Sequence, residues 1–74
     1  PVVFAKATTA VTGPFADIDP HAGLTREIDY EAELAVIIGN GGRPIPRERA
    51  SDHVWGYTII NDVTARDLQR AHQQ

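Results

Sequence analysis

The sequence predicts a β-rich α+β fold, and three observations carry that expectation. The stretch DYEAELAVIIG, from Asp29 to Gly39, alternates polar and apolar residues and then turns continuously apolar. The stretch VWGYTIIN, from Val54 to Asn61, is dense in aromatic and β-branched residues. A helix-start pattern, Thr64-Ala65-Arg66-Asp67, follows it closely. Alternation marks a half-buried strand, and β-branched and aromatic side chains suit a pleated surface. The resulting order of strand, strand, strand and helix, with long irregular joins, differs from the regular alternation of a βαβ fold.

Taken in chain order, Val2 to Lys6 is a short β-prone run and the first expected strand. Thr12-Gly13-Pro14-Phe15 signals a turn, and Asp17 to Gly23, with its Asp-Pro pair and glycine, reads as loop. An extended segment is expected from about Arg26 to Ile38, where Ile28, Tyr30, Ala32 and Leu34 alternate with Asp29, Glu31, Glu33 and Ala35. Gly39-Asn40-Gly41-Gly42 closes it as a turn. Between Pro44 and His53 there is room for one helical turn around Glu48-Arg49-Ala50. The next strand is Val54 to Asn61. Thr64 then caps a helix, with Asp67 three residues on in a variant of the capping box, and the helix runs through Leu68 and Ala71 to the end.

Composition narrows the function classes. Ten acidic residues against seven basic ones give a net charge of −3, and the basic residues are scattered, which disfavours a nucleic-acid partner. There is no cysteine, which fits a reducing, cytoplasmic setting rather than a disulfide scaffold. No apolar run approaches the roughly 20 residues of a membrane span. No glycine-rich phosphate loop occurs, because Gly39 to Gly42 leads into neither a Lys-Ser/Thr pair nor a helix start. The chain opens at Pro1 and stops at Gln74 inside a helical pattern, so residues 1–74 are expected to form a single partial domain, truncated at both ends.

The chemistry-bearing residues cluster around carboxylates. Glu31 and Glu33 lie two apart on an extended segment and so share a face, about 6.6 Å apart along the strand. Like charges held together call for a cation or a proton. Lining the wet face of an edge strand is the competing reading. Asp62 ends the second strand just before the helix, where its alternative role is that of a turn residue. Three carboxylates form an all-oxygen set suited to Mg²⁺ or Mn²⁺ rather than Zn²⁺. Arg66 stands in the first helical turn, where the helix dipole disfavours a cation. An anion site with Gln69, one turn further on, and an ion pair with a nearby acid are equally open for it.

These residues resemble the fumarylacetoacetate hydrolase family. The resemblance rests on DYEAELAVIIG and GYTIINDVTARDLQ, preceded by PVVFAK with a Gly-Pro shortly after, and it spans nearly the whole chain. It implies part of a mixed β-roll catalytic domain, homodimeric in the intact protein. Glu31, Glu33 and Asp62 match the carboxylates that hold Mg²⁺ or Mn²⁺, while Arg66 and Gln69 match residues on the substrate's carboxylate side, with Lys6 near the site. A further lysine of the family falls past Gln74, and the His–Glu acid/base pair of several members precedes Pro1. His21 and His53 do not fall in that motif and are expected to be surface or packing residues. The implied activity is metal-dependent C–C bond hydrolysis of small acylpyruvate or 1,3-dicarbonyl acids. Decarboxylation, isomerisation or tautomerisation of a 2-oxo acid, and a non-catalytic metal-binding role, remain the alternatives.

Overall fold

The computed structural model describes residues 1–72. Four strands, two 3-10 helices and one α-helix make up the regular structure: β1 (Ile28–Asp29), β2 (Ala32–Ile38), β3 (Val54–Asn61), β4 (Thr64–Ala65) and α1 (Arg66–His72), with 3-10 helices at Thr8–Ala10 and Arg47–His53. This is the β-rich α+β composition predicted from the pattern.

The architecture rests on one antiparallel pairing. Strand β2 pairs with β3 from Ala32 opposite Asn61 to Ile37 opposite Gly56, and β1 pairs with β4 with Ile28 opposite Ala65 and Asp29 opposite Thr64. The two short ladders keep a single register, so they are one hairpin interrupted in the middle. The gap falls at Tyr30 and Glu31 on one side and at Asp62 and Val63 on the other. The uninterrupted strand expected from Arg26 to Ile38 is therefore two strands. Side chains hold two backbone amides at the break, of which the Glu31 amide would otherwise face the partner strand. The Tyr30 amide donates to the Asp29 carboxylate (3.0 Å) and the Glu31 amide to the Asn61 side-chain carbonyl (3.0 Å). Such local bonds compete with a ladder. The Asp62 amide still donates to the Glu31 carbonyl (2.9 Å), which keeps the two sides in register across the gap.

At the far end of the hairpin a bulge falls between Ile37 and Ile38, so that Ile38 pairs with Val54 and Trp55 is left as the extra residue. A Cβ on Gly39 would lie 3.2 Å from the Trp55 Cβ, so glycine permits this close approach. The Gly39 amide donates to the His53 carbonyl (2.9 Å) and His53 Nδ1 to the Asn40 carbonyl (2.7 Å). His53 is thus a packing residue that closes the connection. The helical turn expected between Pro44 and His53 is the 3-10 helix Arg47–His53.

Two other expectations are corrected. Val2 to Lys6 forms no strand, because no partner among the described residues offers it a ladder. Thr64 does not cap the helix; it belongs to β4, and its hydroxyl donates to the Asp62 carbonyl (3.0 Å). The Arg66 amide donates to the Glu27 carbonyl (2.8 Å), so strand-like bonding extends to the first helical residue. Asp67, expected in the capping box, instead fastens α1 to the loop before β1. Its carboxylate accepts from the Thr25 hydroxyl (2.5 Å) and from the Arg26 amide (3.2 Å), and Arg70 pairs with Glu27 alongside. Thr25 is the only buried residue among those described. The last two residues of the expected helix, Gln73 and Gln74, lie outside the described residues.

No apolar side chain is buried among the described residues. Leu34 and Val36 of β2 share a face with Ile59 and Tyr57 opposite them, and all four are exposed. Ile37 and Ile60, on the other face, are exposed as well. A two-stranded hairpin without a covered apolar face is marginal in water. No helix among the described residues is long and apolar enough to cross a membrane.

Expressed by itself, the 74-residue chain is expected to melt without a cooperative transition in circular dichroism; a sigmoidal melt with dispersed amide resonances would contradict this. The Asp67 latch carries its own pH signature. The Thr25 hydroxyl, then the Arg26 and Leu68 amides, hold the Asp67 carboxyl below its usual range against partial loss of water. A depressed carboxylate stabilises the fold above its unfolded pKa, and that stability is lost as pH falls through the folded value. In the full-length natural protein, the stability gap between wild type and Asp67→Asn is therefore expected to be widest near neutrality. It should narrow in acid denaturation series below the ordinary aspartate range, and a gap that stays constant with pH would show that the charge contributes nothing.

Candidate metal centre and acid-binding cleft

The interrupted step of the hairpin is where the site forms. Glu31 stands at the gap opposite Asp62, and Glu33 follows two residues along the same face, opposite Ile60. One carboxylate oxygen from each of Glu31, Glu33 and Asp62 can be chosen so that all three lie within 4.8 Å of one another. The structure thus brings together the three carboxylates singled out in the sequence. Glu31 and Asp62 are half-buried and Glu33 is exposed.

Cations of the chain flank this group. Lys6 pairs with Asp62 across 56 positions of sequence, and its ammonium lies 5.5 Å from the Phe4 ring centroid. Arg66 Nε donates to Asp29 Oδ2 (3.0 Å), and Arg66 Nη1 reaches Glu31 Oε1 (2.5 Å) and Gln69 Oε1 (3.1 Å). Of the pairings open for Arg66, the structure selects Asp29 and Glu31, not Asp67 or Asp62. These two partners hold the guanidinium even more firmly protonated, Asp29 first and Glu31 second. Glu33 responds in the opposite sense. Loss of water around its carboxylate head pushes its pKa up, although the residue as a whole is exposed, and the neighbouring Asp62 and Glu31 push it further, with Lys6 opposing.

The donor set fits a hard divalent cation. Four carboxylates, of Asp29, Glu31, Glu33 and Asp62, face two cations, Lys6 and Arg66, leaving two negative charges in the cluster. One divalent ion neutralises that excess. Three carboxylate oxygens within 4.8 Å of one another are the hard-oxygen set such an ion takes. An open cleft of about 280 Å³ adjoins the cluster, and Phe4, Lys6, Glu31, Asp62, Leu68 and Gln69 are among its lining residues. Arg66 stands behind this lining, in contact with Glu31 and Gln69 rather than on the wall.

Sequence reading passed over Asp29, although it shares the alternation of Glu31 and Glu33, which was the available signal. It also passed over His72, which reaches the cleft from the last described turn of α1. His21 lies in the exposed loop, away from the cleft, at a positive φ of 50° stabilised by its amide bond to Asp19 (2.8 Å). In the full-length protein, Asp62→Ala is expected to weaken Mn²⁺ binding by about a hundredfold or more, since loss of outer-shell partners alone costs 10–100-fold. Calorimetric titration at matched thermal stability measures this, and unchanged affinity would exclude Asp62 as a ligand.

Comparison with known proteins agrees with this architecture. The family model described as "Fumarylacetoacetate (FAA) hydrolase C-terminal" matches residues 1–74. The oxaloacetate tautomerase YisK of Bacillus subtilis is 53% identical over 74 residues, covering all of this chain and 25% of that protein. A Staphylococcus epidermidis protein is 49% identical over 72 residues, covering 97% of this chain and 24% of its own length. The solved structure of a fumarylacetoacetate hydrolase from psychrophilic Exiguobacterium antarcticum superposes with a TM-score of 0.90 at 57% identity, over 99% of this chain and 26% of that one. The chain spans about a quarter of the length of these relatives. Matched along its whole length by the family model and by relatives about half identical to it, the chain belongs to the fumarylacetoacetate hydrolase family, in the C-terminal domain.

Proposed function

We propose that these residues form the metal-binding part of a larger catalytic domain that acts on small 2-oxo acids by C–C bond hydrolysis, with acylpyruvates and related 1,3-dicarbonyl acids as substrates. The observation that carries this reading is the convergence of Glu31, Glu33 and Asp62 on one point beside a cleft flanked by cations. Family membership and the 57% identity to a protein described as a fumarylacetoacetate hydrolase support it. The intact enzyme is a cytoplasmic homodimer in this reading.

Glu31, Glu33 and Asp62 would hold Mg²⁺ or Mn²⁺. Such an ion supplies Lewis-acid stabilisation for negative charge that grows on a 2-oxo oxygen during bond cleavage. The chain's own groups then divide the remaining work. Lys6 and Gln69, on the cleft wall, and Arg66, behind it, give the acid end of the substrate a cationic, hydrogen-bonding side and so orient it. Lys6 also balances Asp62, so the ligand set keeps its geometry. Activation of the attacking water and protonation of the leaving carbon fall to groups outside this segment.

The 53% identity to a protein named oxaloacetate tautomerase favours a second reading, keto–enol interconversion of a 2-oxo diacid. It uses the same charge stabilisation and the same acid-binding side, but moves a proton at carbon without attack by water. The two separate in one experiment on the full-length protein. Acylpyruvate cleavage and the decay of enol oxaloacetate are followed by ultraviolet absorbance with Mg²⁺, with Mn²⁺ and after chelation. Cleavage that chelation lowers by at least about a hundredfold is expected, consistent with a direct catalytic metal. Metal-dependent enol decay without cleavage would establish the second reading. Undiminished turnover after chelation and in Asp62→Ala would overturn both.

A further inference from the structure

Asp29 belongs to neither the metal set nor the cleft wall, yet both of its carboxylate oxygens are engaged. Oδ1 accepts from the Tyr30 amide at the break in the hairpin (3.0 Å), and Oδ2 accepts from Arg66 Nε (3.0 Å). Its backbone is fixed opposite Thr64 in the β1–β4 ladder, so it approaches Arg66 from a rigid element. Arg66 is in turn held at its own amide by Glu27 and at Nη1 by Glu31 and Gln69. The bond from Nη1 ends on the carbonyl oxygen of the Gln69 amide, which leaves the Gln69 NH₂ group as the donor available to the cleft.

A long arginine side chain left to itself loses much of its binding contribution to immobilisation. A planar guanidinium fixed at Nε by a strand-borne carboxylate has already lost that freedom. We propose that Asp29 is a positioning residue: it sets the plane of Arg66, and the Arg66 Nη1 bond to Gln69 in turn holds the Gln69 amide on the cleft wall as a donor for the carboxylate of a 2-oxo acid. The inference rests on the acid-binding reading of the cleft given above.

The sign of the effect separates positioning from simple charge. Asp29 is an anion near an anion-binding group, so removing its charge without loss of orientation would strengthen anion binding. Removing a positioning residue weakens it. The test uses the full-length protein loaded with Mn²⁺, with oxalate as the probe and calorimetry as the readout. Asp29→Asn is expected to weaken Mn²⁺ binding by no more than a few-fold, the effect of one neighbouring charge, and at saturating Mn²⁺ to raise the oxalate dissociation constant about tenfold, the scale of one charge-assisted hydrogen bond. Arg66→Ala should weaken oxalate by at least as much, and the Asp29→Asn/Arg66→Ala double variant no further, since the two act in series.

Oxalate binding that is unchanged or tighter in Asp29→Asn, while Arg66→Ala weakens it, overturns the inference and leaves the acid-binding reading standing. Losses that add in the double variant overturn it also, because Asp29 would then act independently of Arg66. Loss of Mn²⁺ binding or of the thermal transition in Asp29→Asn makes Asp29 a structural residue and overturns it. Undiminished oxalate binding in Arg66→Ala overturns the acid-binding reading, and the inference falls with it.

Discussion

The antiparallel register shared by the two short ladders is the constraint from which the rest of the site follows. Because Asp29 faces Thr64 and Ala32 faces Asn61 in one continuous alignment, the residues at the gap, Glu31 and Asp62, are carried to opposite sides of the same step. A slip of one residue would turn the acids of the β2 side to the other face of the hairpin. The break is as necessary as the register. Regular ladder bonding would engage the Glu31 amide with the Asp62 carbonyl, while the Tyr30 amide would face away from the partner strand. Here the Asn61 side chain holds the Glu31 amide instead, and the backbone is locally released from the ladder where the carboxylates converge.

Electrostatics then decides what the step can hold. Three carboxylate oxygens within 4.8 Å of one another repel, and in Glu33 that repulsion adds to the loss of water that chiefly raises its pKa. Lys6 and Arg66 relieve part of the repulsion, each by pairing with a different member of the set, Asp62 and Glu31. Their pairing does not neutralise the cluster. The remaining charge, the oxygen-only donor set and the adjoining cleft together match a divalent cation with open positions for a ligand. Asp29 stands outside that set and meets it through the guanidinium, which contacts both Asp29 and Glu31.

One face of the hairpin that carries the site is apolar and uncovered among the described residues: Leu34, Val36, Tyr57 and Ile59 present it. The other face mixes Ile37 and Ile60 with the acidic residues of the site. Burial of the apolar face would stabilise the hairpin, since hydrophobic burial is the dominant favourable term in folding. The polar fastenings within the segment, Asp67 to Thr25 and Arg26 and Arg70 to Glu27, fix α1 against the approach to β1 and so fix where Arg66 and Gln69 emerge.

By itself the sequence determined the local features. The alternation around Glu31 and Glu33 set their shared face, the β-branched run set β3 from Val54 to Asn61, and the position of Asp62 at its end placed a third carboxylate beside a helix start. The family resemblance was legible for the same reason, since its motif residues are close in sequence. Only the tertiary structure decided the partners. Lys6 comes to Asp62 from 56 positions away, and Arg66 selects Asp29 and Glu31 over the nearer Asp67. It also split the expected long strand at Tyr30 and Glu31, withheld a ladder from Val2 to Lys6, and moved Thr64 from helix cap to strand. The physical reason is common to all of these. Side-chain period and local propensity are properties of neighbouring residues, whereas a ladder or an ion pair exists only when a distant segment supplies the matching backbone or charge.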